Sequence, residues 1–331
     1  MYSLCNIGEL LVKNRNAINW NRLNNGYTKM FWDQNVRQFW VDEEIPISDD
    51  KLVWKTLDDE EQDVYEKVLG GLTLLDTEQG SVGMPRIALA IDNLDYKPVL
   101  GFMSAMEHMH AKSYSSIFSS LSNMDRIDRI FGWIKTYRNL QDKLDLILGK
   151  YNSINDRMSL YKALCTSVFL ETFLFYSGFF YPLYLAGQGK MINSGEIINL
   201  ILRDESVHGV FVGLLAQEEF NKMTFQEQAF AQKEAKLILE KLYDLESKYT
   251  KDLYSSIGLE AAVDIFVRYN ADKALMNLGF DAIFDIQDIE VNPLVLNGLR
   301  TNTKTHDFFS TKGNGYIKPM RFEPLEDDDF V

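Results

Sequence analysis

The chain has 331 residues, 46% hydrophobic and 13% aromatic, which is enough for one large buried core. Its formal net charge of −14 argues against nucleic acid as a direct partner, because a binder needs a basic face. Two distant cysteines, Cys5 and Cys165, are no disulfide framework and suit a reducing, cytoplasmic setting.

Residues 1–28 are polar and asparagine-rich and are expected to be loosely ordered. They lack a basic start followed by an apolar run, so no signal peptide is read. Phe31 to Pro46 carries Trp32, Phe39 and Trp40, an aromatic segment expected to pack on the body. Beyond it the apolar spacing is helical, prolines are scarce, and no alternating run is long enough for a sheet.

Four helices stand out. Tyr65, Leu69, Leu72, Asp76 and Gln79 share one face of the first. Leu100, Met103, Glu107, His110, Tyr114 and Phe118 share a face of the second. The third carries Leu164, Val168, Glu171, Phe175 and Gly178, and the fourth Ile198, Ile201, Glu205, His208, Val212 and Leu215. Ala163 to Gly187 is long and apolar enough to raise the question of a membrane span. Glu171 near its middle and Pro182 favour a buried core helix in a protein with no membrane partner. Further helices are expected over about 224–248, 258–278 and 290–300. After Thr301 the pattern stops, and Glu326 to Asp329 close a glycine- and proline-containing stretch that reads as a flexible acidic tail.

Each stripe is apolar except where an acid or a histidine interrupts it. A polar residue on a core stripe needs a buried partner, and four matching interruptions suggest a shared one. Glu107-x-x-His110 and Glu205-x-x-His208 each aim a carboxylate and an imidazole at one point, because i and i+3 share a helix face. With Asp76 and Glu171 they form the ligand set of a dinuclear site in a ferritin-like bundle. Four carboxylates balance two divalent cations, and oxygen-rich ligation suits iron or manganese better than zinc. A single such pair on a helix would ordinarily be a surface contact; the doubling on apolar stripes reverses that. His108 lies about 100° round the helix from Glu107 and should miss the site, as an outer or packing residue. Tyr114, one turn beyond His110, is open to two readings, a packed core tyrosine or a phenol acting beside the metals.

Glu107-His108-Met109-His110-Ala111-Lys112-Ser113-Tyr114-Ser115, Gly71-Leu72-Thr73-Leu74-Leu75-Asp76-Thr77 and Leu202-Arg203-Asp204-Glu205-Ser206-Val207-His208-Gly209 closely resemble the radical-bearing small (β) subunit of class Ib ribonucleotide reductase. The resemblance runs from about Lys29 to Tyr316. It implies two iron or two manganese ions per chain and a tyrosyl radical on Tyr114, with Phe175, Phe179 and Ile201 as its apolar pocket. It implies radical transfer along Trp40, Asp204 and His110, and outward through Tyr316. Its implied partners are the large (α) subunit, a second copy of the chain in a homodimer and, with manganese, a flavodoxin-like activator. Residues 29–301 then form one ferritin-like dimetal-carboxylate domain, and 302–331 a tail for docking and radical transfer. The same ligands would serve a ferritin-like ligand-binding oxidase, which does not need Tyr114, Trp40 and a tail tyrosine together; iron storage needs no tail.

The tail lies beyond the last periodic helix and should serve a partner rather than the fold. Deleting residues 318–331 should leave metal content and melting temperature nearly unchanged while abolishing co-sedimentation with the large subunit. Retained binding would place docking on the helical body.

Overall fold

Several helix starts in this chain are set by short polar side chains. In the computed structural model, which describes residues 16–287 and 290–298, α1 (Gly26–Gln38) begins where Asn25 accepts the Thr28 N–H at 3.0 Å. Two 3-10 turns, Asp42–Glu44 and Ile47–Asp50, lead into the single turn α2 (Lys51–Trp54). A capping box between Asp58 and Glu61 opens α3 (Asp59–Glu78), which passes through a π turn, Gln79–Gly83, into α4 (Met84–Ala90). Then come α5 (Tyr96–Leu121), α6 (Met124–Thr136), α7 (Arg138–Asn152) and α8 (Arg157–Phe169). A second π turn, Leu170–Leu174, joins α8 to α9 (Phe175–Gly187). The chain continues through α10 (Ile192–Asn221), α11 (Phe225–Tyr254), α12 (Glu260–Asn277) and α13 (Pro293–Gly298). No strand occurs among the described residues, as the helical spacing requires.

The inner bundle is α3, α5, the α8–α9 pair and α10. Helix α3 packs on α5 and α9, and α10 packs on α8, α9 and α5. Helices α7, α11 and α12 cover α8 and α9, and α13 lies along α9. That last contact is backbone on backbone: a Cβ at Gly187 would stand 1.9 Å from the Leu294 carbonyl oxygen. The apolar stretch Arg157–Gly187 is long enough to cross a membrane, but its most apolar window is wholly buried by the rest of the fold. It is the bundle's central helix.

Several elements differ from the sequence-based expectation. The ordered body begins at α1, before residue 29, because the asparagines taken as loose are anchors: the Asn24 N–H bonds Asp95 Oδ2 at 2.8 Å, and Asn25 Nδ2 bonds the Tyr96 hydroxyl at 2.7 Å. Helix α11 runs to Tyr254, well past 248, and α6 and α7 were not among the expected helices. Helix α10 starts from Met191, whose φ of 52° is left-handed and whose side chain caps nothing. Its first turn is held instead by Asp50, which accepts from both the Ser194 N–H and the Ser194 hydroxyl at 2.7 Å.

Between α7 and α11 an ion pair is sealed from solvent. Lys143 Nζ lies 2.6 Å from Glu246 Oε2, both side chains are 0% exposed, and the ammonium sits 4.0 Å from the centre of the Tyr249 ring. Removing one partner leaves a buried charge alone, so Lys143→Ala should cost about 3–5 kcal/mol. Urea unfolding of the metal-free protein measures this; a loss below about 1 kcal/mol would mean that water reaches Glu246 in the variant.

Candidate metal centre

Asp76 stands in the last turn of α3, Glu107 and His110 in the middle of α5, Glu171 in the π turn before α9, and Glu205 and His208 in the middle of α10. All six side chains are fully buried. Their donor atoms form two groups that share Glu107 and Glu205. Asp76, Glu107, His110 and Glu205 make one, and Glu107, Glu171, Glu205 and His208 the other, with the atoms of each group within 4.8 Å of one another. His110 Nδ1 lies 2.9 Å from Glu205 Oε1, 3.5 Å from Asp76 Oδ1 and 3.6 Å from Glu107 Oε2. His208 Nδ1 lies 2.9 Å from Glu107 Oε1, 3.3 Å from Glu205 Oε2 and 3.6 Å from Glu171 Oε2.

These approaches are close without being hydrogen bonds. Both oxygens of Asp76, Glu107 and Glu205, the Oε2 of Glu171 and the Nδ1 atoms of both histidines have no hydrogen-bond partner. Lone pairs that converge in a dry core without donors are costly unless a cation takes them. The donor set therefore fits two metal ions, one per group, with Glu107 and Glu205 common to both. The protonation tendencies agree. Burial pushes the Asp76 and Glu171 carboxyls well above the usual carboxylate range, and neighbouring carboxylates push the same way. Burial lowers the basicity of His110 and His208, but the surrounding acids outweigh it and the net shift is upward. Burial also raises Glu205, yet contacts with Glu171, His110 and His208 prevail and hold it below its ordinary value. Without cations such a cluster neutralises itself with protons.

The far side of His110 is wired outward. Its Nε2 lies 3.2 Å from Asp204 Oδ2, the same oxygen that accepts the Trp40 indole N–H at 2.8 Å, and the Trp40 and His110 rings stack with centroids 6.2 Å apart. Donation from Nε2 to Asp204 leaves the Nδ1 lone pair facing the ligand group. Gln38 holds the other Asp204 oxygen at 2.7 Å. Tyr114 is 0% exposed and its hydroxyl has no hydrogen-bond partner. Burial, with the charges of Asp76, Glu205 and Glu107, drives its pKa far up, so the phenol keeps its proton. Phe175, Phe179 and Ile201 are equally buried; the two phenylalanine rings lie 6.2 Å apart at the start of α9, and Ile201 is on α10.

The third stripe is not the uninterrupted α-helix expected from its spacing, since the π turn Leu170–Leu174 inserts at Glu171. The helix around His108 is regular, and His108 is exposed to solvent with its ring edge against Gly80. Tyr316 and the acidic end lie outside the described residues. Sequence reasoning passed over Gln79, Ser167 and Tyr151, which bond one another beside Glu171. The signal was present for Gln79: it interrupts the same apolar stripe as Asp76.

Similarity to known proteins follows the same lines. Residues 17–293 match the family described as "Ribonucleotide reductase, small chain". The ribonucleoside-diphosphate reductase subunit beta of Bacillus subtilis is 55% identical over 323 residues, 97% of each chain. Subunit beta of ribonucleoside-diphosphate reductase 2 from Escherichia coli is 39% identical over 94% of this chain and 97% of its own. A crystal structure of a dimanganese(II)-NrdF from Streptococcus sanguinis superposes with a TM-score of 0.84 at 43% identity, covering 86% of this chain and all of that one. The ferritin-like architecture expected from the doubled motif is the fold of these neighbours.

The two histidines one and three residues after Glu107 give a direct contrast. His108→Ala should keep both metal ions by elemental analysis, while His110→Ala should lose at least the ion of its own group. Loss of metal from the His108→Ala protein would mean that the exposed imidazole turns inward on loading.

Proposed function

Because the chain belongs to the ribonucleotide reductase small-chain family and is a small subunit of ribonucleoside-diphosphate reductase, we propose that it houses a dimetal–tyrosyl cofactor and supplies the radical to the large subunit for making deoxyribonucleotides. What carries this reading is the convergence of six buried ligand side chains, each with at least one donor atom lacking a hydrogen-bond partner, beside a buried phenol. Asp76, Glu107, His110, Glu171, Glu205 and His208 would hold two manganese or two iron ions. When bound and oxidised by dioxygen or a reduced-oxygen species, such ions would supply the oxidising equivalent that takes one electron from a phenol. The dimanganese relative at 43% identity supports manganese. A manganese centre would be loaded with a flavodoxin-like activator.

The remaining roles belong to this chain's own groups. Tyr114 holds its proton at the phenol oxygen in the resting state and must lose proton and electron together. Its burial excludes water and reductants from the neutral phenoxyl, and Phe175, Phe179 and Ile201 add side chains that do not oxidise easily. Asp204 Oδ2 accepts from Trp40 and from His110, so a proton shift at that oxygen can accompany electron movement between the indole and the ligand. From Trp40 the route would leave the body for Tyr316 and the large subunit, with 326–331 as the docking end. The working form is a cytoplasmic homodimer joined to that subunit.

Tyr114→Phe removes one hydroxyl that makes no hydrogen bond, so folding and binding of two metals should survive at little cost. The variant should lose the tyrosyl signal in electron paramagnetic resonance and support no nucleotide reduction with the large subunit. Turnover near the parent level would put the radical elsewhere.

A further inference from the structure

Glu171 differs from the other carboxylates of the cluster in one respect: only one of its oxygens is free. Its Oε2 faces His208 Nδ1 at 3.6 Å and has no hydrogen-bond partner. Its Oε1 accepts from the side-chain amide of Gln79, which also donates to Ser167 Oγ at 2.9 Å. The amide cannot turn over, because its carbonyl end accepts the Tyr151 hydroxyl at 2.8 Å. Gln79, Tyr151 and Ser167 are all buried. Gln79 begins one π turn and Glu171 lies in the other, so the two π turns among the described residues meet in this bond. The space for it is made by Gly83, where a Cβ would stand 2.1 Å from Gln79 Oε1 and 2.8 Å from the Tyr151 ring. The backbone of Gly83 is ordinary right-handed helix, so glycine is needed there for room alone.

We propose that Gln79, oriented by Tyr151, is a positioning residue that holds Glu171 by one oxygen and presents only the other to the metal on the His208 side. An acceptor-only carboxylate takes the amide N–H as a charge-assisted bond, and such outer partners commonly change metal affinity about 10–100-fold. The inference rests on the dimetal reading of the centre. It separates the two ions: the group of Asp76 and His110 does not include Glu171 and should be indifferent to Gln79.

The test titrates manganese(II) into the metal-free full-length chain and reads bound metal together with the manganese paramagnetic resonance spectrum. The parent should bind two ions. Gln79→Leu should weaken one of them about 10–100-fold and leave the other at parent affinity, in a metal-free protein that is still folded. Tyr151→Phe, which keeps the amide but frees it to rotate, should weaken the same ion to a lesser degree. Gly83→Ala, which displaces Gln79 without altering it chemically, should resemble Gln79→Leu, and either of these variants carries the test if Gln79→Leu fails to fold. Parent affinity for both ions in the folded variants, or equal weakening of both, overturns the proposal. Failure of the parent itself to bind two ions overturns the dimetal reading and this inference with it.

Discussion

Four carboxylates and two imidazoles enclosed without solvent are the constraint to which the rest of the bundle answers. Two like charges 4 Å apart repel by about 4 kcal/mol even at an effective dielectric near 20. A cluster of this kind can be held only by a scaffold stiff enough not to spread. Long helices suit the task. Helices α5 and α10 satisfy their own backbone groups internally, so the polar burden they carry into the core is confined to chosen side chains. Around those side chains the packing is nearly all apolar, with Val99, Leu100 and Met103 below Glu107 and Ile197, Ile198 and Ile201 below Glu205. The ions that such a site binds are thus part of the charge balance of the core as well as of its chemistry.

The two histidines are alike in sequence context and unlike in surroundings. His110 has Asp204 behind it, then Trp40 and Gln38, and Arg203 reaches the Gln38 carbonyl at 2.6 Å. His208 has no hydrogen-bond partner at Nε2. One imidazole is connected outward by hydrogen bonds and the other has none at its outer nitrogen. The asymmetry gives the centre a direction: a charge leaving through a ligand has a bonded path on one side only.

Much of the site could be read from the chain because α-helical geometry is local. Glu107 with His110, and Glu205 with His208, are fixed as neighbours by three residues of spacing, and their apolar flanks say which way they face. The pairing of Asp204 with Trp40 spans 164 residues and leaves no such trace, so that contact came from family resemblance and not from spacing. The π turns were illegible for a different reason. One extra residue per turn rotates everything after it, yet Glu171 and Phe175 still fall on a face that an α-helical count accepts. Gln79 was overlooked although it broke the same stripe as Asp76, because an amide is not a ligand type and its partners, Tyr151 and Ser167, lie on other helices. The asparagines before α1 show the reverse error, in which polar composition was taken for looseness where it supplied anchors.

Asp50 caps α10 from 144 residues away. A helix that supplies half of the ligand pairs therefore has no start signal of its own, since Met191 occupies the cap position in a left-handed conformation with nothing to offer. Synthesis runs from the N-terminus, and the segment bearing Asp50 leaves the ribosome long before α10 exists. The cap waits for its helix. In the opposite order, with α10 emerging first, its leading N–H groups would be left to water until Asp50 arrived.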